Sequence, residues 1–114
     1  DASDNQESYK VEYNASYFND TSYDLFNYLI DNYVKEEINK NARGVKSKLS
    51  SIWHFMTYLN GREKDFVFTM TKDDFRKIVR SIFRIEVKNM DRKRNYDNKH
   101  YPSLYRYYKN FKEK

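Results

Sequence analysis

The stretch VKSKLSSIWHFMTYLNG, residues 45–61, decides the fold, because its apolar residues recur at intervals of three or four. This spacing places them on one face of an α-helix, which can then pack against the rest of the domain. We predict a helix from Lys46 to Asn60, ended by a left-handed cap at Gly61. Its apolar stripe consists of Val45, Leu49, Ile52, Trp53, Met56 and Leu59.

The preceding segment has the same periodicity and predicts a helix from about Ser22 to Ala42. Thr21 or Ser22 can cap its start, and Gly44 follows where a C-terminal glycine cap is expected. Burial of its stripe would pack this helix against the helix predicted at residues 46–60. The stripe consists of Phe26, Leu29, Ile30, Tyr33, Val34 and Ile38.

Two further helices follow in the C-terminal half. One is capped by Thr71 and runs to about Ile85, and the last begins near Pro102, a residue that suits a first helical turn. The stripe of the last helix, which places Tyr107 and Tyr108 in the core, is Leu104, Tyr107, Tyr108 and Phe111. We therefore expect a mainly α single domain of three to four helices over residues 9–114, preceded by a flexible segment, residues 1–8.

The segment from Tyr9 to Tyr17 fits two interpretations. Its residues alternate between apolar and polar, as in a strand, but its tyrosines also recur every four positions, as in a helix. If the segment is a strand, residues 9–17 and 65–70 can form a minor strand pair. A winged helix is the alternative topology, with the third helix as recognition helix and the loop at 88–100 as a basic wing.

Composition indicates a folded domain with an unusual charge distribution. The chain has 12 Tyr, 8 Phe and no Cys, which favours a ring-rich core and a reducing or cysteine-independent compartment. Residues 1–42 carry three Lys against nine acidic residues, a net −6, whereas residues 43–114 carry 19 basic against eight acidic residues, a net +11. Such a division points to an anionic partner for the C-terminal half.

The residues available for catalysis are few. There are two histidines, His54 and His100, and we expect the first on a helix surface or partly buried and the second exposed in the basic loop. The chain has two glycines, which are too few for a glycine-rich phosphate-binding loop. We predict that the protein is not an enzyme and that it uses no cofactor or metal.

The third predicted helix has one apolar and one basic face. Phe75, Val79 and their neighbours face one side, while Arg76, Arg80 and Arg84, spaced four apart, face the other. We predict that this face binds an acidic segment of a protein partner, with the protein acting as an interaction or scaffold module. The candidate binding residues are Arg76, Lys77, Arg80, Arg84, Lys88, Arg92, Lys93 and Arg94. The competing interpretation is a solvated face paired with acidic residues of the first helix.

The C-terminal half also supports a second hypothesis, because basic residues alternate there with tyrosines, including Tyr96, Tyr101 and Tyr105. Cations can contact phosphates and rings can stack on bases, so this half is an alternative nucleic-acid-binding domain. Attachment to an anionic membrane surface is a third, weaker hypothesis.

Part of the chain resembles a known family. Ile52-Trp53 in a helix, then Glu63-Lys64, Phe66 and Met70, preceded by a helix with Tyr23, Leu25 and Leu29, are similar to the PHIST family of proteins exported by malaria parasites. The resemblance covers residues 22–83, and a second tryptophan of the family pattern is missing, since Trp53 is the only one. It implies a helical bundle that acts as a protein-interaction module and is exported to the host cell.

Overall fold

The computed structural model describes residues 11–38, 42–88, 90 and 100–113. Within these residues the protein is mainly α-helical, as predicted, with four α-helices: α1 at Asp20–Leu29, α2 at Ala42–Leu59, α3 at Lys72–Phe83 and α4 at Tyr101–Lys112. A π-helical turn, Ile30–Val34, and a 3-10 turn, Lys35–Glu37, continue α1. The predicted flexible segment, residues 1–8, lies outside the described residues.

The start of α1 is capped by Asn19 and not by Thr21 or Ser22, so the predicted cap is wrong. The Asn19 side chain accepts a hydrogen bond from the Ser22 backbone N–H at 3.1 Å, and the Ser22 hydroxyl accepts one from the Asn19 N–H at 3.0 Å. These two bonds form a reciprocal capping box. Ser22 is therefore the partner of the cap residue, and its hydroxyl also donates to the Val67 carbonyl.

The two glycines differ in role. Gly61 has a φ of +89° just after α2, as predicted for a left-handed cap. The prediction for Gly44 is wrong, as is the predicted end of the first helix at Ala42, because α2 begins at Ala42 and contains Gly44. Burial of Val45 directly after it outweighs the roughly 0.5–1 kcal/mol that a helical glycine costs.

The proposed strand pair is reduced to one antiparallel bridge between Phe18 and Phe68. Asn14 prevents a longer pairing, because its side chain accepts a hydrogen bond from the Ser16 N–H at 2.8 Å and its carbonyl from the Tyr17 N–H at 2.9 Å, which closes a turn. The described residues contain no strand beyond this bridge, so the winged-helix alternative does not apply to them.

The core is rich in aromatic rings, as the composition predicts, because eight of the 23 buried hydrophobic residues among those described are Phe or Tyr. Helices α1, α2 and α4 pack against one another, and α3 joins them through Phe75 and Val79. Four rings with centroids 5.5 to 6.4 Å apart form what we call the phenylalanine cluster: Phe18, Phe26, Phe68 and Phe75. The Cα radius of gyration is 13.5 Å, near the ~13 Å of a compact domain of about 100 residues.

His100 is buried, which corrects the prediction that it lies in solvent. Its Nδ1 is 2.6 Å from the Tyr33 hydroxyl and its Nε2 is 2.7 Å from the Ser47 hydroxyl. Only 3% of the residue is exposed. The imidazole satisfies two polar groups inside the bundle, because each ring nitrogen can donate to or accept from a rotatable hydroxyl.

Candidate binding surfaces

Helix α3 has the two faces that the sequence predicts. Thr71 caps it, with its hydroxyl accepting a hydrogen bond from the Asp74 N–H at 3.1 Å. Phe75 and Val79 are buried on one side, while Arg80 is exposed on the other. The helix therefore presents a polar surface while its apolar face holds it against the domain.

The predicted row of three helical arginines ends early, because α3 stops at Phe83 and not near Ile85. Arg84 has a left-handed backbone, with a φ of 59°, and its N–H bonds the Arg80 carbonyl at 3.0 Å. This turn lets the following chain reverse direction so that Val87 is buried. Lys88 accordingly does not continue the helical row, which corrects its predicted placement.

Arg76 is engaged within the protein and is not available to a partner in the way predicted. Its Nη1 donates to Asp73 Oδ1 at 2.8 Å, its Nε to the Val87 carbonyl at 3.1 Å and its Nη2 to the Lys88 carbonyl at 3.2 Å. The competing interpretation expected pairing with carboxylates of α1, but the carboxylate that pairs with Arg76 comes from α3 itself. Arg76 thus fastens the chain after α3 back along that helix.

Four of the remaining cations lie on α3 or just after it, and we call this group the basic strip. Arg76 binds the Lys88 carbonyl, so Lys88 lies near the start of α3. Arg84 follows Arg76 by eight residues, which corresponds to ~12 Å along a helix. The strip consists of Lys77, Arg80, Arg84 and Lys88, all exposed. Within the part of the chain that the structure describes, none of the four has an ion pair or side-chain hydrogen bond. The predicted site residues Arg92, Lys93 and Arg94 lie outside the described residues.

The tyrosines of the C-terminal half separate into two groups. Tyr108 is buried and Tyr107 half-buried, as the helical stripe predicts, whereas Tyr105 is 44% exposed. Tyr105 stacks on Tyr101, with ring centroids 5.9 Å apart and an interplanar angle of 22°. Tyr96 lies outside the described residues.

A third tyrosine, which was not predicted from the sequence, lies beside Tyr101 and Tyr105. Tyr58, on α2, is 38% exposed and its ring meets Tyr101 edge-on at 5.7 Å. Arg62 covers it, with its guanidinium carbon 4.3 Å from the ring centroid. Two features of the sequence could have indicated this arrangement. Tyr58 lies outside the apolar stripe of α2, and Arg62 follows it by four residues, close enough to cover its ring. We call Tyr58, Tyr101 and Tyr105 the tyrosine ledge.

Ionisation of two tyrosines near α4 is suppressed. The pKa of Tyr101 is raised, first by its side-chain hydrogen bond with Tyr58 and then by burial. The pKa of Tyr108 is raised, first by burial and then by its hydrogen bond to Glu63, where its hydroxyl donates to Oε1 at 2.7 Å. Both hydroxyls therefore stay protonated to a higher pH than the hydroxyl of an ordinary tyrosine.

The raised pKa of Tyr108 predicts a loss of stability at alkaline pH. Above its ordinary value of 10.0 the unfolded chain releases the proton while the folded protein keeps it, so the free energy of unfolding falls as pH rises past that value. We expect Tyr108→Phe to be less stable than wild type at neutral pH by about 1 kcal/mol, through loss of the hydrogen bond. Between about pH 9 and 11 its stability should fall less steeply.

Urea unfolding across that pH range measures both effects, with Tyr105→Phe as the control because its hydroxyl is exposed. A slope for Tyr108→Phe equal to that of wild type would show that the buried hydroxyl does not cause the alkaline loss.

A surface groove of about 550 Å³ lies between residues 11–17 and α3. Ile78 and Ile82 contribute apolar lining, and its polar lining contains Glu12 and Asp74 as well as Lys77. Lys77 belongs both to this groove and to the basic strip, but the mixed charge of the groove gives it no preference for an anion.

Residues 11–38, 42–88, 90 and 100–113 contain no group of three or more His, Cys, Asp or Glu side chains placed to hold a metal ion. None of their helices has the length and apolar character needed to cross a membrane.

No protein-family model matches the chain, and neither a curated protein nor a solved structure matches it significantly.

Proposed function

We propose that this domain is a non-enzymatic interaction module that docks an acidic segment of a protein partner on the basic strip. The observation that supports this is the exposure of four cations along ~12 Å of surface, with no carboxylate pairing them among the described residues. Like charges held this close repel one another, and an acidic partner would relieve that repulsion.

The chemistry of the strip suits carboxylates. Arg80 and Arg84 present planar guanidinium groups, which can each hold a carboxylate through two parallel hydrogen bonds. Lys77 and Lys88 add point charges at the sides. A short Asp- and Glu-rich segment could place its carboxylates on these groups without any deep pocket.

The remaining ionisable groups support a binding role over catalysis. The His54 ring donates from Nε2 to the Met90 carbonyl at 2.6 Å, and His100 lies between two hydroxyls. Both imidazoles thus have structural hydrogen bonds. The resemblance of residues 22–83 to the PHIST family implies the same class of function, and Trp53 and Met70 of that pattern are joined by an indole hydrogen bond at 2.9 Å.

A charge reversal on the strip tests this proposal. We expect Arg80→Glu with Arg84→Glu to weaken binding of a fluorescent Asp- and Glu-rich peptide about 30-fold. Each reversal replaces an attraction of about 0.5 kcal/mol by a similar repulsion, which gives about 2 kcal/mol for the pair. Fluorescence anisotropy measures the Kd, and the same peptide with Asn and Gln in place of its acids is the uncharged reference.

The matched control is Lys46→Glu with Lys64→Glu, which changes two exposed lysines on other elements and alters the net charge equally. Circular dichroism should show the same helical content for both variants. If both weaken the peptide equally, binding follows net charge and the strip is not a site.

A further inference from the structure

The tyrosine ledge has the construction of a stacking platform. Tyr101 supports the two exposed rings, stacking on Tyr105 and meeting Tyr58 edge-on. Tyr101 itself rests on Phe55, a fully buried core residue, at 5.9 Å. Rings held from behind in this way lose little conformational freedom when a flat ligand covers them.

Cations border the platform. The Arg62 guanidinium lies on Tyr58 at 4.3 Å, Lys109 Nζ is 5.9 Å from the Tyr105 centroid, and Lys112 Nζ is 4.8 Å from the centroid of Tyr108. Arg62 comes from the turn after α2, and the two lysines come from the last turn of α4. They would meet an anionic chain that crosses the ledge.

The carboxylate that pairs with one of these cations, Lys112, also has a second partner. Glu63 accepts the Tyr108 hydroxyl at 2.7 Å and pairs with Lys112 at 3.9 Å. It therefore offsets part of one cation and leaves Arg62 and Lys109 to define the charge of the ledge. Among the described residues, neither of these two has an ion pair with a carboxylate.

We propose that the tyrosine ledge binds single-stranded nucleic acid, with unpaired bases stacked on Tyr105 and on the Tyr58–Arg62 pair and phosphates near Lys109. Exposed rings interleaved with cations match a strand that carries flat bases on an anionic backbone. An acidic peptide would satisfy the cations but leave the rings uncovered, and a proline-rich peptide would do the reverse. Duplex bases are already stacked on one another and cannot use the rings.

The ledge lies on α2 and α4, so this inference is independent of the basic strip on α3. The probes are fluorescein-labelled RNA and DNA single strands of one mixed sequence, the corresponding DNA duplex, and a proline-rich peptide, all at ~0.1 M salt. We expect micromolar binding of the single strands that weakens log-linearly with salt, and weaker binding of the duplex. A difference between RNA and DNA would identify which strand the ledge prefers.

Substitution of the rings distinguishes stacking from simple charge attraction. We expect Tyr58→Ala and Tyr105→Ala each to weaken single-strand binding about ten-fold, and Tyr105→Phe to retain it, because stacking needs the ring and not the hydroxyl. Tyr105→Leu keeps apolar bulk without an aromatic face and should behave like Tyr105→Ala. The control is Tyr13→Ala, which removes an exposed tyrosine from another part of the surface.

Three outcomes would overturn the proposal. They are the absence of single-strand binding by micromolar wild-type protein, an equal loss for Tyr13→Ala, and full binding by Tyr105→Leu with unchanged circular dichroism. Tight binding of the proline-rich peptide, lost in the ledge variants while single strands remain bound, would instead make the ledge a peptide site. Arg80→Glu with Arg84→Glu should leave single-strand binding largely intact, which separates this test from that of the basic strip.

Discussion

Replacing Phe26 with alanine is expected to lower the free energy of unfolding by about 3–5 kcal/mol. The ring is fully buried on α1 and meets three others, Phe18 at 5.5 Å, Phe68 at 6.4 Å and Phe75 at 6.1 Å. These come from three other parts of the chain, so the cavity left by the ring cannot be filled by one small shift. A domain of this size has about 5–15 kcal/mol in total.

Urea unfolding followed by circular dichroism measures this change, with Val67→Ala as the control because Val67 is 41% exposed. The loss in free energy of unfolding for Phe26→Leu should lie between those for Phe26→Ala and Val67→Ala, because leucine keeps most of the volume but loses the ring contacts. A cost below about 1 kcal/mol for Phe26→Ala would mean that the phenylalanine cluster does not hold α1 and α3 together.

The helices could be predicted because their apolar stripes repeat over several turns. The stripe from Val45 to Leu59 has every member buried or half-buried, and Pro102 lies in the first turn of α4 as expected. A long periodic pattern is a strong signal because each further apolar residue must agree with the same helical face. Local turn chemistry at Gly61 added a stop that the structure confirms.

Features that depend on distant contacts could not be predicted in this way. Gly44 resembles a helix stop, but α2 begins at Ala42 and contains it, and the left-handed turn at Arg84 is followed by the burial of Val87. Nothing local to His100 indicates that Tyr33 and Ser47, far apart in sequence, enclose it. In each case a tertiary contact outweighs the local preference.

The candidate surfaces show the same division. The charge and face of Arg80 follow from helical spacing alone, but the engagement of Arg76 by Asp73 and two backbone carbonyls needs the reversed chain after α3. Similarly, Tyr105 belongs to a tyrosine-rich tail that is visible in the sequence, whereas Tyr58 joins it only because α2 and α4 pack side by side.

Replacing His100 with alanine is expected to lower the free energy of unfolding by about 2–4 kcal/mol. The substitution opens a cavity at the start of α4 and removes one hydrogen-bond partner from each of Tyr33 and Ser47. Tyr33 is 6% exposed, so water cannot easily replace the imidazole. Because these three residues connect α2, α4 and the turn after α1, the loss should also loosen the end of α4 that carries the ledge residue Tyr101.

A double-mutant cycle with Tyr33→Phe separates the hydrogen bond from the cavity. Urea unfolding of wild type, the two single variants and the double variant should give a coupling energy of about 0.5–3 kcal/mol, the range for residues in direct contact. His54→Ala is the matched control, because that imidazole is half-buried and bonds one carbonyl. Additive losses, with no coupling between Tyr33 and His100, would mean that burial of the ring stabilises the bundle while its hydrogen bond does not.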